Sequence, residues 1–338
     1  MVQSETLLLA FDRPAQARRC VHTLRQIRSA KHGNYSGAIE LVFPREIMLD
    51  VDELQVRRRT LDEILPVDSR GRSFPRQPPQ PCASLPQKRL DGWEGYYFKT
   101  LVTMSSFWAS RYEVVTWIDC GMHVHRPLSR LLEVDPGSHL LALSATWPFK
   151  ATFSQAHHAV CDPVANRSLT RAYPAALTSD YFVSTLMRYR TTLLGKANEA
   201  LRSIIALYHR YGALFEGDQD ILSLYWLHNR HAWGPLPMDP PHCIFDYAFR
   251  VPHPAGCRTL VLSKMTYLES YLEAKARGGG QGHRLAGLSG SRTGSGRGSH
   301  AVGIVRRPQG RATNQASSGR AGSRAGKGTS SPRSASNK

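Results

Sequence analysis

The sequence lacks a hydrophobic run long enough to cross a membrane. Its first apolar stretch, Leu7–Phe11, has five residues, against the roughly 20 that a transmembrane helix needs. That stretch follows Glu5 without a basic segment before it, so we do not expect a secretory signal either. The sequence therefore predicts a cytoplasmic protein without a membrane span.

The sequence also lacks paired cysteine motifs. Its six cysteines are scattered along the chain, and none forms a Cys-x-x-Cys pair: Cys20, Cys82, Cys120, Cys161, Cys243 and Cys257. Scattered cysteines of this kind are typical of free thiols in a reducing compartment. We therefore expect free thiols and no disulfide framework.

The last 62 residues, 277–338, contain no acidic and no aromatic residue, but 12 of the 44 Lys and Arg and 15 of the 27 Gly. Residues 1–276 hold 32 basic and all 26 acidic residues, so the net charge of +18 resides mainly in the tail. Such a tail cannot bury enough apolar surface to fold. We predict a folded domain over 1–276 and a disordered basic tail over 277–338.

The folded part opens with a pattern of alternating strands and helices. A β-type run at Thr6–Phe11 is followed by a proline-initiated helix and a second apolar run at Ala38–Phe43. Strand–helix–strand order is typical of a parallel sheet covered by helices. The β-branched run Val114–Ile118 predicts a central strand, and the proline-rich residues 66–90 predict a surface loop insertion.

The remaining predicted elements are a weak element at Val56–Leu65, a helix from Tyr97 to Trp108, strands at Leu140–Leu143, Tyr181–Tyr189 and Thr259–Leu262, and helices at 193–208, at Asp218–Leu227 and up to Ala276.

Two short acidic motifs could carry chemistry. Asp119 directly follows the predicted central strand, where an acid can meet a bound cation, and Gly121 allows a ligand to approach the backbone. An ordinary turn at the end of a strand explains the same residues. Asp218 and Asp220 begin a predicted helix, where acids are favoured as caps without any function.

Taken in order, five segments resemble the glycogenin-like (family 8) nucleotide-diphospho-sugar transferases. The segments are Leu7–Pro14, Gly95–Lys99, Ile118–Met122, Asp180–Met187 and Asp218–Tyr225. The resemblance covers roughly residues 5–270. It implies a GT-A-type α/β/α sandwich with a mainly parallel central sheet.

The resemblance also implies a reaction and its participants. It implies a sugar-nucleotide donor (UDP is our assumption), a divalent metal, usually Mn2+, and an acceptor oxygen of unknown identity. A metal ion held by carboxylate oxygens would neutralise the charge that develops on the leaving diphosphate.

The resemblance assigns roles residue by residue. Asp119 matches the first acid of the metal motif, and Lys99 matches the basic position that meets the donor phosphates. Asp218 and Gln219 match the pair beside the transferred sugar and are the candidate catalytic residues. The remaining candidates for donor binding are Ala10, Phe11, Asp12 and Gly121.

The chain departs from the family pattern at the metal site. The second acid of the Asp-x-Asp motif is Gly121, and the late histidine motif is absent, with His242 and Asp246 as its nearest candidates. His123 and His125 flank the acidic turn, and a surface or core position explains them without metal binding.

The sequence thus predicts a metal-assisted glycosyltransferase. Two alternatives stay open. One is an inactive relative that keeps the nucleotide pocket without a metal site, and Gly121 is the residue that supports it. The other is an RNA-associated protein that binds RNA or another polyanion through its basic tail.

Overall fold

The computed structural model describes residues 2–65, 74–75, 77–79, 93–144, 162–174, 182–215, 217–237, 243–246 and 261–264. Most of the predicted loop insertion, the helix expected up to Ala276 and the basic tail lie outside the described residues. Within the described residues, no helix is long and apolar enough to cross a membrane.

Ten strands are described: β1 (Gln3–Ala10), β2 (Ala38–Val42), β3 (Arg57–Arg59), β4 (Tyr112–Ile118), β5 (Met122–Val124), β6 (Leu140–Ser144), β7 (Phe182–Arg190), β8 (Trp233–Pro235), β9 (Phe245–Asp246) and β10 (Leu262–Lys264).

The described α-helices are α1 (Pro14–Arg28), α2 (Leu61–Ile64), α3 (Trp93–Thr103), α4 (Ser129–Leu132), α5 (Pro163–Ala172), α6 (Glu199–Tyr211) and α7 (Asp218–Ser223), and α7 continues as a π-helical turn over Leu224–Asn229.

Seven strands form the main sheet, in the order β3-β2-β1-β4-β7-β6-β8. The neighbouring pairs are parallel except for β4 with β7 and β6 with β7, which are antiparallel. The prediction of a mainly parallel α/β fold is therefore confirmed, and β4 is the central strand. A second sheet, β5-β10-β9, starts directly after the turn that follows β4.

The sheet is buried because its central strands are apolar on both faces. Leu7, Leu8 and Leu9 of β1 are fully buried, as is Ile118 at the end of β4. Side chains alternate between the two faces of a strand, so a continuous apolar run requires cover on both. Helix α1 covers one face with an apolar stripe and leaves Arg18, Arg19 and Arg25 exposed to solvent.

Some predicted elements have different bounds, for local reasons. The amphipathic helix expected from residue 193 begins at Glu199, because Gly195, Ala197 and Asn198 have positive φ angles of 68°, 50° and 61°, which no α-helix contains. The weak element at Val56–Leu65 divides into β3 and α2, with a capping box at Thr60 where the helix starts.

The expectation of free thiols is wrong for the described cysteines. Cys20 of α1 and Cys120, in the turn after β4, form a disulfide that joins positions 100 residues apart in the chain. Cys243 is also disulfide-bonded. The sequence did not predict this pairing because the two cysteines meet only after α1 has packed against the sheet.

Removing the Cys20–Cys120 bond should destabilise the fold. Because the bond closes a long loop, Cys20→Ala should lower the free energy of unfolding by about 2–5 kcal/mol in non-reducing buffer. The Cys20→Ala/Cys120→Ala double variant should lose no more than the larger single loss, since either change removes the same bond. Urea unfolding measures both. Losses that add would show that the two thiols are not bonded.

Candidate active site

The candidate site lies where strand pairing in the main sheet changes from parallel (β1 with β4) to antiparallel (β4 with β7). Strand β1 ends at Ala10 and its parallel neighbour β4 ends at Ile118, so both carboxyl ends lie at the same edge of the sheet. Strand β7 is antiparallel to β4, which places its first residues at that same edge, and the Asp119 amide donates to the Thr185 carbonyl at 3.0 Å. Crevices at such edges are common ligand sites in α/β folds.

The structure brings Lys99, Asp119 and Asp218 into one cluster. The Lys99 ammonium Nζ, on α3, lies 2.8 Å from Asp119 Oδ1 and 3.4 Å from Asp218 Oδ2. The side chain of Asp218 is only 5% exposed, and those of Lys99 and Asp119 are 12% and 24% exposed. Two carboxylates from separate segments of the chain thus lie around one ammonium group.

Trp117 orients the carboxylate of Asp119. Its indole Nε1–H donates to Asp119 Oδ1 at 2.8 Å, so this oxygen accepts from both Trp117 and Lys99. The Lys99 ammonium also lies 5.4 Å from the centre of the Trp117 ring, within cation–π range. Trp117 therefore positions both the Asp119 carboxylate and the Lys99 ammonium group of this ion pair.

Ser184 is a site residue that the sequence analysis missed. Its hydroxyl accepts from Lys99 Nζ at 3.0 Å and donates to Asp218 Oδ2 at 2.7 Å, and its amide donates to Gln219 Oε1 at 3.3 Å. Ser184 thereby joins Lys99 to the start of α7. Two hydroxyl residues in succession, Ser184 and Thr185, within an apolar strand were the signal that could have found it.

The cluster carries an excess of negative charge. Burial alone would lower the pKa of Lys99, but the nearby charges and hydrogen bonds of Asp119 and Asp218 outweigh burial and raise it. Lys99 therefore stays protonated over the physiological pH range. One ammonium group between two carboxylates leaves a formal charge of −1.

The predicted donor loop lies beside this cluster, although much of it is buried. Phe11 is 1% exposed and stacks on Phe43 with 5.2 Å between ring centres. Ala10 is also buried, and its carbonyl oxygen lies 3.3 Å from Cys120 Sγ. Asp12 is half-buried and pairs with Arg13 at 3.2 Å. Of the three, Asp12 alone presents a charge, and Arg13 neutralises it.

Gly121 is held against helix α1. Its φ of +89° lies in the left-handed region, where glycine is favoured. Its amide donates to the Thr23 hydroxyl at 3.1 Å, and the same hydroxyl lies 2.8 Å from the Met122 carbonyl oxygen. The conformation of the turn after Asp119 is therefore fixed from the α1 side.

The described residues do not fit the divalent metal that the family resemblance implies. Asp119 Oδ1 is already occupied by Lys99 and Trp117, and Gly121 supplies no side-chain ligand. Within the described residues, no group of three or more His, Cys, Asp or Glu is arranged to hold a metal ion. The side chains of His242 and Asp246 lie outside them.

His123 also lacks the geometry of a metal ligand. Gln26 Oε1 accepts from the Val124 amide at 2.9 Å, so Gln26 Nε2 is the donor to His123 Nδ1, also at 2.9 Å. The neutral ring then carries its proton on Nε2, which leaves no lone pair for a metal. Burial, followed by the charges of His22 and His32, lowers the pKa of His123, which favours this neutral form.

Comparison with known proteins finds similar solved structures. Galactosyltransferase LgtC, in complex with donor and acceptor sugar analogues, is 12% identical, with a TM-score of 0.48 over 77% of this chain and 86% of that one. The bifunctional glycosyltransferase WbbM is 14% identical, with a TM-score of 0.45 over 80% of this chain and 45% of that one. Mouse xyloside xylosyltransferase 1 is 13% identical, with a TM-score of 0.43 over 77% and 97%.

No protein-family model matches the chain, and no curated protein does. The three similar structures are glycosyltransferases, and at these identities the likeness concerns the fold alone.

Replacing Lys99 tests the charge balance of the cluster. Lys99→Met should lower the free energy of unfolding at pH 7 by about 3 kcal/mol, because the buried Asp218 carboxylate loses its counter-charge. The loss should shrink below about pH 4, where carboxyl groups become protonated and their repulsion ends. Urea unfolding of both proteins at pH 7 and at a pH below about 4 measures the two losses.

The matched control is Lys31→Met at an exposed position, which should change stability by less than about 0.5 kcal/mol. An equal loss in both variants, or a Lys99→Met loss that is the same at both pH values, would contradict the charge balance proposed for the cluster.

Proposed function

We propose that this chain transfers a sugar from a nucleotide-diphosphate donor to an acceptor oxygen. The observation that carries the proposal is the convergence of Lys99, Asp119, Asp218 and Ser184 at the carboxyl edge of the sheet. A lysine held protonated at a sheet edge is suited to meet a phosphate group. UDP is the nucleotide that we propose first, and the acceptor has no assigned identity.

The proposed chemistry follows from the leaving group. The bond between the anomeric carbon and the diphosphate oxygen breaks, and both electrons leave with the nucleoside diphosphate. The acceptor oxygen forms the new bond to the anomeric carbon, and its proton passes to solvent. Since negative charge grows on the diphosphate, a preorganised cation at that point lowers the barrier. We assign this role to Lys99, oriented by Asp119 and Trp117.

Asp218 and Gln219 are proposed to face the sugar. Asp218 is fixed by Ser184 and Lys99, and a negative charge at this position would stabilise positive charge that develops at the anomeric carbon. The Gln219 carbonyl oxygen is held by the Ser184 amide, and the amide group at its other end can donate to a sugar hydroxyl. No described residue is assigned as a covalent nucleophile.

A manganese ion is not given a step, because the described carboxylates do not fit one. The same observation favours a second candidate function, that of a relative which binds the donor without transferring its sugar. The two functions differ in turnover, so the test includes both binding and reaction.

A donor-hydrolysis screen on the full chain, with donor binding measured by titration in the same buffers, tests the proposal. UDP-sugars and other sugar nucleotides are incubated with the protein, with Mn2+ in one arm and EDTA in another. At least one donor should be hydrolysed, and Asp218→Asn should reduce the rate by about 100-fold. Asp50→Asn, which changes an exposed acid, is the matched control and should leave the rate unchanged.

Three outcomes separate the alternatives. Hydrolysis that depends on Asp218 supports transfer. Donor binding without hydrolysis would replace transfer with the binding function. The absence of both for every sugar nucleotide would contradict the proposal altogether.

A further inference from the structure

Arg19, on α1, lies beside the glycine that replaces the second acid of the metal motif. A β-carbon built on Gly121 would lie 3.6 Å from Arg19 Cδ and 3.9 Å from Arg19 Cβ. The aliphatic stem of Arg19 therefore runs alongside Gly121. The guanidinium group begins at the atom bonded to Cδ, and its atoms lie more than 4 Å from this built β-carbon.

Arg19 is exposed, and its guanidinium group makes no hydrogen bond or ion pair within the part of the chain that the structure describes. An acid at position 121 would lie within reach of this guanidinium group and could neutralise it. Glycine at position 121 instead leaves the positive charge available. Within the described residues, the turn that lacks the second acid of the motif therefore has an unpaired cation beside it.

The backbone position of Arg19 is fixed by its neighbours on α1. Cys20, the next residue, is bonded to Cys120, which directly precedes Gly121. One turn further along α1, the Thr23 hydroxyl accepts from the Gly121 amide. A covalent bond and a hydrogen bond therefore hold α1 against the turn, and such preorganisation reduces the entropic cost of binding a ligand there.

The charge balance of the site calls for another cation. Lys99 is shared by Asp119 and Asp218, which leaves a formal charge of −1, and Arg13 is paired with Asp12. A nucleoside diphosphate would add further negative charge to this edge of the sheet. Either a divalent metal or a cation of the chain must offset it, and the described residues do not form a metal site.

We propose that Arg19 binds the diphosphate of the donor at the position where the second metal-motif acid is missing. This inference rests on the proposed function, since it deepens the assignment of the same site. An arginine is suited to the task because its planar guanidinium group can donate two hydrogen bonds to one phosphate. Diphosphate binding then depends on the charge of the chain and not on manganese.

Titrations with UDP and with uridine, each with EDTA and with Mn2+, test the proposal. Arg19→Gln should weaken UDP binding by about tenfold or more, as expected for the loss of a charged hydrogen bond. Uridine, which has no phosphate, should bind Arg19→Gln and the unchanged protein alike. Arg19→Lys should recover part of the UDP affinity, and the unchanged protein should bind UDP in EDTA.

Arg18→Gln is the matched control. Arg18 is the neighbouring exposed arginine on the same helix, and its loss should weaken UDP binding by less than about twofold. Equal weakening of UDP binding by both variants would show that the effect is general electrostatic attraction, and this result would overturn the inference. So would a parallel loss of uridine binding in Arg19→Gln, which would indicate a structural role.

The titrations distinguish a wrong assignment of Arg19 from a wrong proposed function. If the unchanged protein binds UDP and Arg19→Gln binds it equally well, or if UDP binding requires Mn2+, the assignment of Arg19 is wrong and the proposed function stands. If the unchanged protein binds neither UDP nor any other nucleoside diphosphate, the proposed function fails and the assignment of Arg19 fails with it.

Discussion

The ammonium group of Lys99 is the interaction on which the candidate site depends. It is the point at which α3, the turn after β4, the first residues of β7 and the start of α7 meet. Without a positive charge there, Asp119 and Asp218 would face each other across a largely dehydrated space, which is unfavourable for two carboxylates. In the proposed function the same charge meets the donor phosphate, so one residue serves both the fold and the proposed chemistry.

A second constraint comes from helix α1. The Cys20–Cys120 disulfide and the Thr23 hydroxyl fasten this helix to the turn that follows β4. Because that turn also carries Asp119, the geometry of the carboxylate is determined from two sides: by Lys99 and Trp117 on one, and through the turn by α1 on the other. The proposed role of Arg19 depends on this attachment.

Much of the fold could be predicted from the sequence, because the elements that form the sheet are marked by local patterns. The apolar runs at β1 and β4 require burial on both faces, and the proline after β1 marks the start of α1. Asp119 could be selected in advance because it follows a predicted strand, and Lys99, Asp218 and Gln219 because their segments resemble motifs of the transferase family. The structure brings all four together, while their catalytic and binding roles remain proposals.

The rest of the site depends on contacts between segments that are distant in sequence, which local patterns do not encode. Ser184 is an ordinary hydroxyl residue until antiparallel pairing of β7 with β4 places it beside Lys99. Cys20 and Cys120 resemble isolated thiols until α1 packs against the turn. Phe11 was selected for donor binding from its position in a motif, yet it is buried against Phe43. The central claim is tested most directly by a crystal structure of the full chain with UDP bound. The account predicts the diphosphate within hydrogen-bond distance of Lys99 Nζ, and a nucleotide bound away from the carboxyl ends of β1 and β4 would contradict it.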